Sequence, residues 1–159
     1  MPSFNNEIEI MQENLCDLRK IAGDTAESFS RKINVTKQTV SNLETGKVSM
    51  SRIQYIAIRS VLECETYRQK DNVALRHIMR FLFEQPYNMY QNNKAEIRTA
   101  MVSIASSANA GLSRLQLYSV TVTLLSPLGY KELNHTKPQR SVPTLEWLLR
   151  LEEEQDEDN

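Results

Sequence analysis

The chain has 159 residues, of which 40% are hydrophobic and 25% charged, and a formal net charge of −1. Its length accommodates one ordinary domain or two small ones, because independent domains exist down to about 55–65 residues. No apolar run approaches the roughly 18 residues that span a bilayer, and Met1 to Glu7 lacks a basic start followed by an apolar stretch, so the expectation is a cytoplasmic protein without a membrane segment.

Cysteine and histidine usage argues against a metal or disulfide framework. Cys16 and Cys64 lie far apart and are expected to be free thiols, and His77 and His135 have no second ligand at the helical spacings that aim two side chains at one ion. The four glycines form no phosphate-cradling loop, and no serine or cysteine sits in a nucleophile motif, so no enzyme and no cofactor are expected.

Charge is uneven along the chain. Between Arg19 and Arg59 eight basic residues stand against three acidic ones, a net of +5, whereas from His135 onward three basic residues stand against seven acidic ones, a net of −4. The basic stretch is a plausible footprint for phosphate, although charge alone equally describes a solvated face.

In chain order, Ile8, Met11, Leu15, Leu18 and Ile21 recur at helical spacing, and Gly23 closes that first helix. Asp24 and Thr25 are both N-cap residues, and Asp24 with Glu27 resembles a capping box opening a second helix that runs to about Ile33 and buries Phe29 and Ile33. Asn34 supplies a left-handed turn. Thr36 then caps a third helix through Leu43, with Val40 and Leu43 inward and Lys37, Gln38, Ser41 and Asn42 outward; Gly46 ends it. A fourth helix is expected from Ile53, Ile56, Ala57, Val61 and Leu62, capped by Ser49 or Ser51.

Residues 12 to 64, about a third of the chain, resemble the lambda-repressor-like, or Xre-type, helix-turn-helix family of transcriptional regulators. Val35-Thr36-Lys37-Gln38-Thr39-Val40-Ser41-Asn42-Leu43-Glu44-Thr45-Gly46-Lys47 is similar to that family's recognition-helix region almost position by position. Ser30 provides the small residue where the two helices approach, and Val35 and Val40 fill their interface. One departure stands out: the second helix opens with Asp24-Thr25-Ala26-Glu27 where the family commonly has Leu-Thr-Gln-Glu, so Ala26 lacks the amide that the glutamine uses for hydrogen bonding.

The resemblance implies that Lys37, Gln38 and Asn42, with Ser41, meet base edges of double-stranded DNA in the major groove. Residue chemistry agrees, since lysine donates to guanine O6 or N7 and glutamine or asparagine pairs bidentately with adenine. Thr36 and Thr39 suit phosphates, and Lys47 and Arg52 would fix register on the backbone.

Beyond residue 65 the residues Glu65 to Asn72 read as a linker, followed by an amphipathic helix through Val73, Leu75, Ile78, Met79 and Leu82 that stops at Gln85-Pro86. Tyr87 to Asn93 reads as a loop. Lys94 to Asn109 reads as a helix burying Ile97, Met101 and Ile104, ended by Gly111. Leu112 to Leu125 fits both a helix and a hairpin, and its length and the stop at Ser126-Pro127 favour a helix facing inward through Leu112, Leu115, Tyr118, Val122 and Leu125. Asn134 to Pro143 reads as a second linker, Leu145, Trp147, Leu148, Leu149 and Leu151 as a short amphipathic segment, and Glu152 to Asn159 as a disordered acidic tail able to compete with DNA for the basic surface.

The expected architecture is therefore all-α: an N-terminal lambda-repressor-like helix-turn-helix bundle over residues 1–65, a helical dimerisation or effector region over 66–133, and a linker, short helix and acidic tail over 134–159. The expected function is a dimeric, sequence-specific repressor, its C-terminal region being the source of a homodimer interface and the place for a protein partner or small effector. The alternative is an antitoxin or phage-type inhibitor whose C-terminal half binds another protein and whose helix pair autoregulates its operon.

Overall fold

A computed structural model of the chain describes residues 3–130 and 145–157, with the side chains of Glu152 and residues 154–157 left aside. The described residues are helical and contain no strand, as an all-α chain requires. The elements are α1 (Phe4–Ile21), α2 (Ala26–Lys32), α3 (Lys37–Glu44), α4 (Arg52–Arg68), α5 (Val73–Phe83), α6 (Tyr87–Asn92), α7 (Lys94–Asn109), α8 (Arg114–Leu125), a 3-10 turn (Ser126–Leu128) and α9 (Glu146–Glu157).

Local chemistry sets most boundaries. Gly23 takes φ +87° after α1, Asn34 takes φ +57° between α2 and α3, and Thr36 and Ser51 cap α3 and α4 through their hydroxyls. Thr25, one of the two expected N-cap residues, caps α2, but the capping box differs from expectation. Asp24 is buried, accepts from Ser28 Oγ and binds Lys32 Nζ at 2.8 Å, and the box is formed by Thr25 with Ser28, not by Asp24 with Glu27.

α1 is the central rod. It packs on α3, α4 and α5 and most extensively on α7, and the buried apolar residues from Phe4 to Leu151 form one connected core. The division expected at residue 65 lies within α4, and the linker expected over 65–72 is instead the last turn of α4 and the cap of α5. These polar residues form the end of one helix and the cap of the next because they are satisfied across the fold. Glu65 is buried against Lys32, Arg68 and Gln69, and Asn72 donates to the Ile21 carbonyl at 3.0 Å.

Other expectations shift for similar reasons. The inward face of α4 is Tyr55, Ile58 and Leu62 together with the charged Arg59 and Glu65, while Ile53 is 80% exposed. Arg59 is buried because Glu7 accepts from its Nη1 at 2.5 Å and its guanidinium lies between the rings of Phe83 and Trp147. The loop expected at Tyr87–Asn93 is α6, anchored to α1 by Tyr87 and Tyr90 hydroxyls that donate to Glu9 and Glu13. α8 is helical as expected, but its buried residues are Leu117, Thr121 and Leu125, and Leu115 is 75% exposed.

The acidic end also departs from expectation. α9 continues to Glu157, and it docks on the chain through Trp147, whose ring meets Tyr55 edge-on, and through the fully buried Leu151. The second expected linker and His135 lie outside the described residues, as do Asp158 and Asn159.

Candidate nucleic-acid interface

The geometry of α2 and α3 follows from a few buried side chains. Phe29 and Ser30 of α2 and Val40 and Leu43 of α3 are buried where α3 packs on α2 and α1, and the Val35 amide donates to the Ser30 carbonyl at 3.0 Å. Burying Val40 and Leu43 fixes the rotation of α3 about its axis, since side chains three residues apart share a face. The opposite face is thereby turned outward.

Two clamps hold the C-terminal end of α3. Arg19 on α1 donates to both carboxylate oxygens of Glu44, at 2.5 and 3.1 Å, and to the Asp24 carbonyl at 3.0 Å. That bidentate bond to Glu44 holds the Arg19 proton more tightly than usual. Gln12, also on α1, donates to the Leu43 and Val48 carbonyls at 3.1 and 2.7 Å and accepts from the Met50 amide at 3.1 Å. Sequence reading missed these clamps because Glu44 lies 25 residues from Arg19, and Leu43 lies 31 from Gln12, with no local signature to join them.

On the outward face, Lys37 and Gln38 are exposed and Ser41 and Asn42 are half-buried. Gln38 Nε2 donates to Asn42 Oδ1 at 2.9 Å, one turn apart. Each amide keeps a donor and an acceptor after that bond, enough for bidentate pairing with adenine. Thr36 Oγ1 accepts from the Thr39 amide at 3.1 Å and shares a 2.9 Å hydrogen bond with the Thr39 hydroxyl, so both threonines cluster at the start of α3.

Lys47 is exposed on the loop that Gln12 clamps, and Arg52 is exposed at the start of α4 with its guanidinium 4.5 Å from the Phe4 ring centre. The eight expected site residues thus lie along one stretch from Thr36 to Arg52, with Thr36 to Asn42 on or capping α3 and Lys47 and Arg52 beyond its C-terminal end.

The local excess of positive charge is less available than its count implies. Arg19 is bound to Glu44, Arg59 to Glu7, and Lys32 to Asp24 and Glu65 at 2.8 and 2.9 Å. Burial would lower the Lys32 ammonium, but the two carboxylates outweigh it and raise it instead. Arg31 pairs with Glu27 at 3.5 Å on an exposed face. Of the eight cations between Arg19 and Arg59, Lys20, Lys37, Lys47 and Arg52 have no carboxylate partner among the described residues, and these are the ones in that stretch that remain for a phosphate backbone.

A cleft of about 450 Å³ opens beside α3, where Arg19 and Lys20 of α1, the α2 cap Thr25, Ala26 of α2, Lys37 of α3 and Asn109 of α7 converge, with Asp24 and Glu27 on its wall. Cys16 and Cys64 are free thiols, and burial pushes the Cys16 thiol upward, which keeps it protonated. No helix among the described residues is long and apolar enough to cross a membrane.

Comparison with family models, with curated protein sequences and with solved structures finds no match to this chain.

Proposed function

We propose that the chain is a sequence-specific DNA-binding transcriptional regulator of the cytoplasm, acting as a dimeric repressor that reads its operator with α3. The observation that carries this reading is the face of α3. Lys37, Gln38, Ser41 and Asn42 project from a helix held by the burial of Val40 and Leu43 and, at its C-terminal end, by the Arg19 and Gln12 clamps. Rigid placement of base-reading amides is what discrimination between base pairs demands, because a mobile amide pairs with several edges.

Lys20, Lys47 and Arg52 lie outside that face and suit backbone-positioning contacts. Dimerisation places two copies of α3 about one DNA turn apart, roughly 34 Å. Val102 of α7 and Leu115 of α8 are apolar side chains of the C-terminal half that are 50% and 75% exposed, and they support an interface there.

Selection from a pool of randomised duplexes tests the reading. Enrichment of one motif with a two-fold repeat agrees with it. A pool that stays random through successive rounds, with binding that depends only on salt, contradicts it.

A further inference from the structure

We propose that the turn joining α7 to α8 belongs to the DNA-binding face, and that Asn109, with Lys20 and Lys37 across the cleft, holds a phosphodiester beside the groove entered by α3, Lys37 serving that phosphate instead of a base edge and leaving base reading to Gln38 and Asn42. This rests on the DNA-binding reading above and adds to it an element from outside the helix pair.

Two independent features place the turn there. Asn109, the last residue of α7, is exposed and lines the same cleft as Lys20 and Lys37. A relay of hydrogen bonds then pins the start of α8 to the end of α1: Arg114 donates to Gln69 Oε1 at 2.9 Å, and Gln69 Nε2 donates to the Ala22 carbonyl at 2.8 Å. The extensive packing of α7 along α1 keeps the turn in register with the start of α2.

The chemistry of the cleft selects an anion with several acceptor oxygens. Asp24 on its wall is already bound by Lys32 and Ser28, and Glu27 pairs with Arg31, whereas neither ammonium has a carboxylate partner among the described residues. Ala26 presents only a methyl group to the cleft, and the carboxamide found there is that of Asn109. Two ammoniums and an amide N–H, all donors, match the non-bridging oxygens of a backbone phosphate. Such a contact adds affinity for every sequence and contributes about 0.9 to the salt slope for each phosphate neutralised.

The test titrates the full chain on a duplex carrying the selected motif and on a scrambled duplex. Asn109→Asp should weaken binding to both about tenfold, and Asn109→Lys should strengthen both several-fold and steepen the salt slope by about 1. The same aspartate placed at Thr123, exposed toward the far end of α8, should leave binding within twofold. Because the lysine variant is a gain, unfolding cannot imitate it. If the wild-type chain binds the motif and both Asn109 variants match it, or the Thr123 variant weakens binding equally, this inference is overturned while the DNA-binding reading stands. If the wild-type chain binds no duplex, both fall.

Discussion

Gln38 donates its side-chain amide to Asn42 Oδ1 at 2.9 Å, so the two residues assigned to adenine reading are joined before any DNA arrives. Groups in one hydrogen-bonded unit do not contribute additively. Gln38→Ala and Asn42→Ala are each expected to relax discrimination at one base position by about 1–3 kcal/mol, and the double variant to lose less than the sum. Titrations on the preferred duplex and on single-base substitutions of it measure this. Strictly additive losses would show that the bond has no part in reading.

Lys47 and Arg52 are expected to separate affinity from specificity. Lys47→Ala should weaken all sequences alike and lower the salt slope by about 1, with no change in thermal stability. Arg52→Ala should do the same to binding and also destabilise the fold by roughly 0.5–1 kcal/mol, because its guanidinium stacks 4.5 Å from the Phe4 ring centre. A change of sequence preference in either variant would contradict the assignment to the backbone.

Gln12 touches no proposed DNA contact yet should matter to binding. Its side chain satisfies the Leu43 carbonyl, the Val48 carbonyl and the Met50 amide. Gln12→Ala should cost about 2–3 kcal/mol of stability and loosen the loop bearing Lys47. Chemical denaturation and titration at a temperature where the variant stays folded check the two effects, and unaltered affinity in a folded variant would show that the clamp does not position the loop.

How far the sequence anticipates this arrangement depends on whether the information is local. Thr36, Asn34, Gly23 and the Val40–Leu43 spacing are local signals, and each was legible with the right helix on the right side of the turn. The face of α4 was not. Ile53 fits an apolar period but is exposed, because the phase of α4 is set by Tyr55 and by the buried Arg59–Glu7 pair, whose members lie 52 residues apart. Likewise Glu65 to Asn72 has linker composition, and only the distant Lys32 and the carbonyls of Ile21 and Ala22 make it helix and cap. Of the residues expected outward on α3, Lys37 and Gln38 are exposed and Ser41 and Asn42 half-buried, whereas the cleft with Asn109 required knowing that α7 lies along α1.

Acid should weaken the tie between α2 and α4. Burial alone would raise the Glu65 carboxyl, but hydrogen bonds from Gln69, Lys32 and Arg68 outweigh that and hold it below its ordinary 4.5. A carboxyl lowered on folding contributes stability that is present above its unfolded value and lost as pH falls through the folded one. Glu65→Gln should therefore cost about 1–3 kcal/mol at neutral pH, with the gap from wild type closing as pH falls below 4.5. Denaturant melts across that range measure the gap, and one that stays constant with pH would contradict the ion-paired role.

A nuclease footprint of the full chain on the DNA upstream of its own gene, at stated salt, tests the central claim that α3 reads sequence. The full chain is needed because α1 packs along α7, so removing the C-terminal helices would strip the first helix of its largest neighbour. The account predicts protection of two half-sites about one helical turn apart, lost when Gln38 and Asn42 are both replaced by alanine. Absence of any sequence-specific protection, or the same protection by the double variant, would contradict it.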